Sequence, residues 1–317
     1  MVDGGCKENG SFALSEVVGF GMMSYATLII ADSLPELNTG VDWKEVTELI
    51  DDDAVLVVSI LRGWGTQTGL IGTTLGNDVN GRRIARHLEE LDIVGKVRIS
   101  SKVKTPYEVI ISDRDGNRTF LWNRDPEVLK TLDAAELSMI REARILYVDW
   151  YDGDHILRPM KEAMQWGVPV FLNFEHGHSD QELLARYAPY VTICQATIDD
   201  AQLQDNAQEI ADRLLEEGIP TALITMAKNG CLAATREEVV RVYAPQMDVV
   251  DGCAAGSTFS AAYIYGCLQG WSLETKARFA VAAASLQCTV VGPCAFPKAE
   301  VQQLATHLKV RRHTKHL

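Results

Sequence analysis

The residues with the clearest chemical potential lie in VVDGCAAGSTFSAAYIYG, Val249 to Gly266. A β-branched pair leads into a small-residue turn, Gly252 to Gly256, and then into an apolar helix. The first turn of such a helix leaves backbone N–H groups without intrahelical partners. Together with the positive end of the helix dipole they suit an anion such as a phosphate. Asp251 opens the turn, Ala254, Ala255 and Gly256 supply its backbone, and Ser257 follows where proton transfer would want a carboxylate. The plainer alternative is an ordinary turn with Ser257 as N-cap. No Gly-x-x-x-x-Gly-Lys-Ser/Thr occurs, and Gly19-x-Gly21 carries Ser24 where a dinucleotide fingerprint has its third glycine.

Other polar residues cluster at expected strand ends. Asp149 and Asp152 in VDWYDGD come with Trp150 and Tyr151, which can stack on a ligand, and Asn173 and Glu175 close VFLNFE. Each set reads equally well as pocket or as turn capping. His176 and His178 in FEHGHSD lack a third ligand nearby and read as a solvated loop.

The elements that must position these groups follow from periodicity. From ARILYVDW onward the chain alternates strand and helix, which predicts a parallel sheet with helices on both faces and a ligand at the carboxyl ends of the strands. SEVVGFG reads as the first buried strand, and ATLIIADSLPELNTG continues extended toward Pro35. WKEVTELI, apolar at positions 43, 46, 49 and 50, predicts a short amphipathic helix. Gly69, Gly72, Gly76 and Gly81 punctuate a strand and turn before the helix RRIARHLEEL. VRISSKVKTPYEVIISDRDGNRTFLW, residues 97 to 122, reads as an antiparallel pair turning at RDGN. Two Ala-rich helices, Thr258 to Gly270 and Ser272 to Cys288, are expected to be buried.

A chain of 317 residues, 47% apolar and without repeats, predicts one large α/β domain over residues 1–317. A net charge of −13 argues against nucleic-acid partners, and only the tail VRRHTKHL is basic. No apolar run reaches the ~18 residues of a membrane span, and the start lacks the order of a signal peptide, so a cytoplasmic protein is expected. Seven cysteines, odd in number and without CxxC, suit a reducing compartment.

Taken in order, these segments resemble the PfkB/ribokinase family of ATP-dependent sugar and nucleoside kinases, with a ketohexokinase-like layout. IGTTLGNDVNG is similar to the family's G-D-D-x-x-G segment, KTPYEVIISDRDGNRTFLW to its substrate-lid strands, and ITMAKNGCLAA to its T-x-G-x-x-G nucleotide turn. VDGCAAGSTFSAAYIYGCLQGWSL is similar to its D-T-x-G-A-G-D-x-F signature. The resemblance implies a ribokinase-like α/β fold, a mostly parallel central sheet with helices on both faces plus a small β-lid from about 26–42 and 97–122. It also implies transfer of the ATP γ-phosphoryl group to a substrate hydroxyl, with Mg²⁺ neutralising the phosphates. Ala255 and Gly256 would form the anion hole, and Thr225, Ala227, Gly230, Asp251, Ala254, Cys288 and Gly292 would lie on the nucleotide side. A homodimer through the lid is expected, because the lid's apolar face would otherwise stay exposed.

The chain departs from the pattern where chemistry and substrate meet. The family's base aspartate falls on Ser257, and its substrate aspartate on Ala26. Its Gly-Gly-x-x-x-Asn motif, counted back from Gly65, falls on Asp51, Asp52 and Leu56, with Trp122 closing the lid side. Its N-x-x-E segment becomes Ala196 and Asp199 or Thr197 and Asp200, leaving Asp199 or Asp200 as the metal-side carboxylate. Ala254 in place of glycine is tolerable if its φ is negative. The expectation is a protein that binds nucleotide or phosphate at 251–257, with a sugar-like ligand beside it and transfer weakened or lost at Ser257. The alternative is an active kinase on an atypical, amine-bearing sugar or nucleoside, drawn by Asp51 and Asp52.

Overall fold

In a computed structural model, residues 15–113, 117–198 and 207–314 are described. A nine-stranded sheet runs through the molecule in the order β15-β14-β13-β12-β11-β10-β9-β1-β4. Its parallel part comprises β1 (Val17–Gly21), β4 (Thr68–Gly72), β9 (Ile145–Asp149), β10 (Val170–Glu175), β11 (Ile193–Thr197) and β12 (Thr221–Thr225). An antiparallel margin follows in β13 (Cys231–Ala234), β14 (Glu238–Val242) and β15 (Val310–Thr314). The parallel strands are apolar almost throughout because both faces are covered.

Side-chain alternation divides the interior into two cores. Val17, Tyr147, Phe171 and Leu223 face one core, packed by α1 (Asp53–Gly63), α2 (Val79–Glu90), α7 (Ala255–Leu268), α8 (Leu273–Gln287) and α9 (Lys298–His307). Val18, Phe20, Leu146, Val148 and Leu172 face the other, packed by the short α3 (Pro126–Leu129), α4 (Leu157–Gln165), α5 (Gln181–Tyr187) and α6 (Ala207–Glu216). The Ala-rich pair α7 and α8 is buried on several sides, in line with its composition.

The lid is a four-stranded sheet in the order β3-β2-β7-β8, formed by β2 (Ser24–Ala31), β3 (Trp43–Asp51), β7 (Tyr107–Asp113) and β8 (Arg118–Leu121). WKEVTELI is therefore strand β3 and not a helix. It pairs with β2 from Ser24 opposite Asp51 to Ala31 opposite Trp43. An eight-residue helix on this exposed flap would lack the length to hold itself together, whereas the β2 ladder satisfies the backbone of Val46 and Thr47. The antiparallel pair expected at 97–122 is narrower, β7 with β8, and its RDGN turn falls mainly outside the described residues. Upstream, the short strand β6 (Ile99–Ser100) pairs instead with β5 (Leu75–Gly76).

Candidate active site

The turn before α7 is built by Asp251, which is fully buried. One of its oxygens accepts the Cys253 amide at 2.9 Å and the other the Gly292 amide at 3.1 Å. The carbonyl of Cys288 accepts the amides of Val250 and Asp251. Asp251, Cys288 and Gly292 thus form the scaffold beneath the turn. Ala254 is the N-cap of α7 at φ 61°, ψ 6°, so the negative φ on which an easy replacement of glycine depended is not found there. No side chain caps the helix; the Ala255 amide reaches the Gly252 carbonyl only at 3.5 Å, and the first turn is without a side-chain acceptor. A Cβ placed on Gly256 would meet nothing within 4 Å, so this face of the turn opens onto free space. The Gly256 carbonyl is held from behind by Ser260 Oγ at 3.1 Å and Gln195 Nε2 at 3.5 Å.

Ser257 does not cap α7. Its hydroxyl donates a hydrogen bond to the carboxylate of Asp53, the first residue of α1. Two helix N-termini therefore converge on one serine–carboxylate pair.

Next to this pair the chain gathers carboxylates. β3 ends at Asp51 and α1 starts at Asp53, leaving Asp52 as N-cap at φ 88°, ψ 140°, a conformation that glycine adopts without strain. The position where the motif calls for a second glycine is thus geometrically a glycine position occupied by aspartate. Asp52 pairs with Arg124 at 3.1 Å, and Arg124 also pairs with Asp152 at 2.7 Å. Asp152 accepts the Met22 amide and lies so close over Gly21 that a side chain there would strike it. Asn173 donates to Asp149 at 2.8 Å, and Tyr151 Oη donates to Glu175 at 2.9 Å. The Arg124 guanidinium stands 5.6 Å from the centre of the Tyr151 ring, and Trp122 packs against the same ring with centroids 5.9 Å apart.

Burial governs the electrostatics of this cleft. Desolvation, helped by Glu108, pushes Asp51 up to about 7. Desolvation, then the charge of Asp53, raises Asp149 and Glu175. Asp52 and Asp152 are also raised by desolvation, although Arg124 opposes the shift in both. Burial disfavours the Arg124 charge, but the carboxylates of Asp52, Asp152, Asp149 and Glu108 outweigh it and hold the guanidinium protonated. One buried Glu108 oxygen and the Asn173 side-chain carbonyl have no hydrogen-bond partner.

The structure brings together Asp51, Asp52 and Trp122 on the cleft side and Asp251, Ala254, Ala255, Gly256 and Ser257 at the cradle. Ala26 is fully buried beneath the lid with Leu28, Ile30, Ile110 and Cys253 of the turn, directly opposite Glu108 on β7. Leu56 lines a cavity of about 600 Å³ between β3, α1, α2 and residues 291–295. Thr225 ends β12 with its hydroxyl 2.9 Å from that of Thr197. Ala227 and Gly230 in the turn that follows both have positive φ, and a side chain at Gly230 would collide with the Val242 carbonyl. Asp199 and Asp200 lie outside the described residues, and among the described residues no three acidic, His or Cys side chains are grouped to hold a metal. His178 is buried against Arg213 rather than solvated, with Nδ1 3.0 Å from the guanidinium. Asp53, Glu108, Arg124 and Gln195 escaped the sequence reading. Only the run of three aspartates at 51–53 hinted at the first of them.

The sequence matches the pfkB family of carbohydrate kinases over residues 57–299. The chain belongs to that family. This pfkB-family chain is 25% identical over 287 residues to a nucleoside kinase of Methanothermobacter thermautotrophicus, covering 85% of the chain and 88% of that protein. It is 27% identical over 244 residues to a ribokinase of Arabidopsis thaliana, covering 69% and 62%. With an ATP-dependent 6-phosphofructokinase of Thermoanaerobacterium thermosaccharolyticum the likeness is 25% over 122 residues, 38% of either chain. Among solved structures, Arabidopsis thaliana ribokinase complexed with ribose and ATP superposes with a TM-score of 0.71 at 19% identity, covering 92% of this chain and 99% of that one. The nucleoside kinase of Methanocaldococcus jannaschii superposes with a TM-score of 0.74 at 18% identity, covering 92% and 97%. The fold of this pfkB-family chain is ribokinase-like: a mostly parallel sheet with helices on both faces and a β-lid. No described helix is long and apolar enough to cross a membrane.

Proposed function

We propose that the protein binds ATP at the α7 cradle and phosphorylates a hydroxyl of a small acceptor that carries an amine. The reading is carried by one observation: the uncapped N-terminus of α7, braced by Asp251 and open at Gly256, stands beside a cleft walled by buried carboxylates. Backbone amides at a helix start suit the transferring phosphoryl group. Asp51, Asp52, Asp149, Asp152 and Glu175 outnumber the two arginines whose charges reach them, Arg124 at Asp52 and Asp152 and Arg118 at Asp51 and Glu175, and burial raises the pKa of all five. An ammonium group adds compensating charge, and a neutral sugar does not. Trp122 and Tyr151 offer the ring faces against which the acceptor's carbon frame packs. Mg²⁺ would enter with the nucleotide and neutralise its phosphates. The described residues form no ligand set of their own for it.

Calorimetry with ATP, ADP and AMP-PNP, each with and without Mg²⁺, tests the nucleotide half. Gly256→Val is expected to abolish binding by filling the open face. A coupled ADP-release assay on glucosamine, aminodeoxy sugar alcohols, amino-nucleosides and their neutral counterparts tests the acceptor half. Turnover of the neutral compounds at equal kcat/KM would remove the amine from the proposal. A second reading rests on Ser257 alone: nucleotide binding without efficient transfer, since a positioned base contributes about 10²–10⁴ in rate. Binding of ATP with no turnover on any acceptor selects that reading.

A further inference from the structure

The serine at the base position is not isolated, and its partner bears on the chemistry. Ser257 is 2% exposed, and its hydroxyl donates to Asp53 across the junction of α7 and α1. Asp53 sits in the first turn of α1 and is the last of three consecutive aspartates. Asp52 in that run is tied to Arg124, while Asp53 reaches the cradle. The charge of Asp53 is felt by Asp149, Glu175, Asp51 and Tyr147, which places it centrally in the cleft.

We infer that Asp53 replaces the missing carboxylate, accepting the acceptor's proton through Ser257 Oγ. The inference rests on the phosphoryl-transfer reading above. As the acceptor oxygen bonds to the γ-phosphorus, the bond from that phosphorus to the β,γ-bridging oxygen breaks and ADP departs. The acceptor's hydroxyl proton passes to Ser257 Oγ while the serine's own proton passes to the Asp53 carboxylate. No serine alkoxide is formed, and the proton leaves Asp53 for water when the products go. A loose transition state demands proton removal late, when the acceptor oxygen has become strongly acidic, so a two-step relay is sufficient. The lone base of the family has thus become a dyad split between two helices. Ser257 touches the acceptor, and Asp53 acts through it.

The test is steady-state kinetics on wild type, Asp53→Asn, Ser257→Ala and the exchange variant Asp53→Ser/Ser257→Asp, with Mg·ATP and the best acceptor from the panel. Asp53→Asn is expected to lower kcat about 10²–10³-fold with KM for ATP unchanged, and to erase the acid limb of the kcat–pH profile. Ser257→Ala is expected to do the same. The exchange variant, which returns a carboxylate to α7, is expected to recover kcat to within about tenfold of wild type. An Asp53→Asn enzyme within threefold of wild-type kcat overturns the relay, as does a loss that the exchange variant fails to repair. Should Asp53→Asn not fold, Ser257→Ala decides the matter, because an unchanged pH profile there also overturns the relay. A wild type that binds ATP but turns over no acceptor overturns the function itself, an outcome distinct from a working enzyme indifferent to Asp53.

Discussion

Ala254 and Asp51 are residues at which the sequence works against its own backbone or burial. Ala254 holds φ 61° at the N-cap of α7, and an L-residue in that region costs about 1–2 kcal/mol, part of which glycine recovers. Ala254→Gly is expected to stabilise the protein by about 1 kcal/mol, read as a Tm rise of about 1–3 °C in calorimetry. Asp51 titrates near 7 in the folded chain, far above its unfolded value, because burial and Glu108 disfavour its charge. The folded state therefore binds the proton more tightly. Its stabilising contribution is complete below the unfolded pKa and is lost as pH rises through about 7. Asp149, Asp152, Asp52, Glu175 and Glu108 are shifted in the same direction. Tm is accordingly expected to be higher at pH 6 than at pH 8, and Asp51→Asn to flatten that slope by raising Tm at pH 8. A wild-type Tm that climbs from pH 6 to pH 8 would contradict the burial argument.

Among the elements, the segment joining core to lid depends on one carboxylate. Asp78 caps α2 by accepting the Gly81 amide at 2.8 Å, and also accepts the amide and hydroxyl of Thr105 at 3.0 and 2.8 Å. Burial pushes Asp78 up, but these hydrogen bonds together outweigh it and hold the group below its ordinary value. Thr105 stands just before β7, so the cap of α2 also anchors the lid. Asp78→Ala is expected to cost about 2 kcal/mol in denaturant unfolding, and to speed amide exchange in β7 beyond what the global loss explains. Equal acceleration throughout the chain would show a cap without an anchoring role. The helix after the glycines was readable from its apolar face, but it starts at Val79 and not at Arg82, because the Asp78 cap draws Val79, Asn80 and Gly81 into its first turn. The strand nature of WKEVTELI was not readable, because its apolar spacing fits a helix as well as a strand and only pairing with β2 decides between them.

For the whole molecule, the lid presents an apolar surface that the single chain leaves open. Trp43 is 67% exposed and Leu37 93%, with Val46 and Leu121 also exposed on the same sheet or its connection. β3 is an edge strand with a free row of backbone groups, a feature soluble proteins normally cover. A second copy of the lid is the expected cover. Light scattering should give twice the 35.0 kDa chain mass, and Trp43→Glu should shift the population toward monomer. A monomeric wild type would leave the lid without that role. The acidic cleft lies beneath this sheet, so dimerisation and access to the acceptor site are expected to be linked.

Read alone, the amino-acid sequence determined the strand–helix alternation, the small-residue turn at 251–257 with Ser257 after it, and the acidic pair at 51–52. These are local properties, set by periodicity, turn chemistry and residue type within a few positions. It left open what surrounds Ala26 and Leu56, because a residue's neighbours depend on how β2 and α1 pack, not on its distance from a glycine. Tertiary structure alone decided that Arg124 bridges Asp52 and Asp152, and that Asp53 stands beside Ser257 though 204 residues away. Hydrogen bonds over such separations exist only once the sheet and its flanking helices have closed around them. A serine read as a vacancy in one motif is, in the folded chain, one half of a pair.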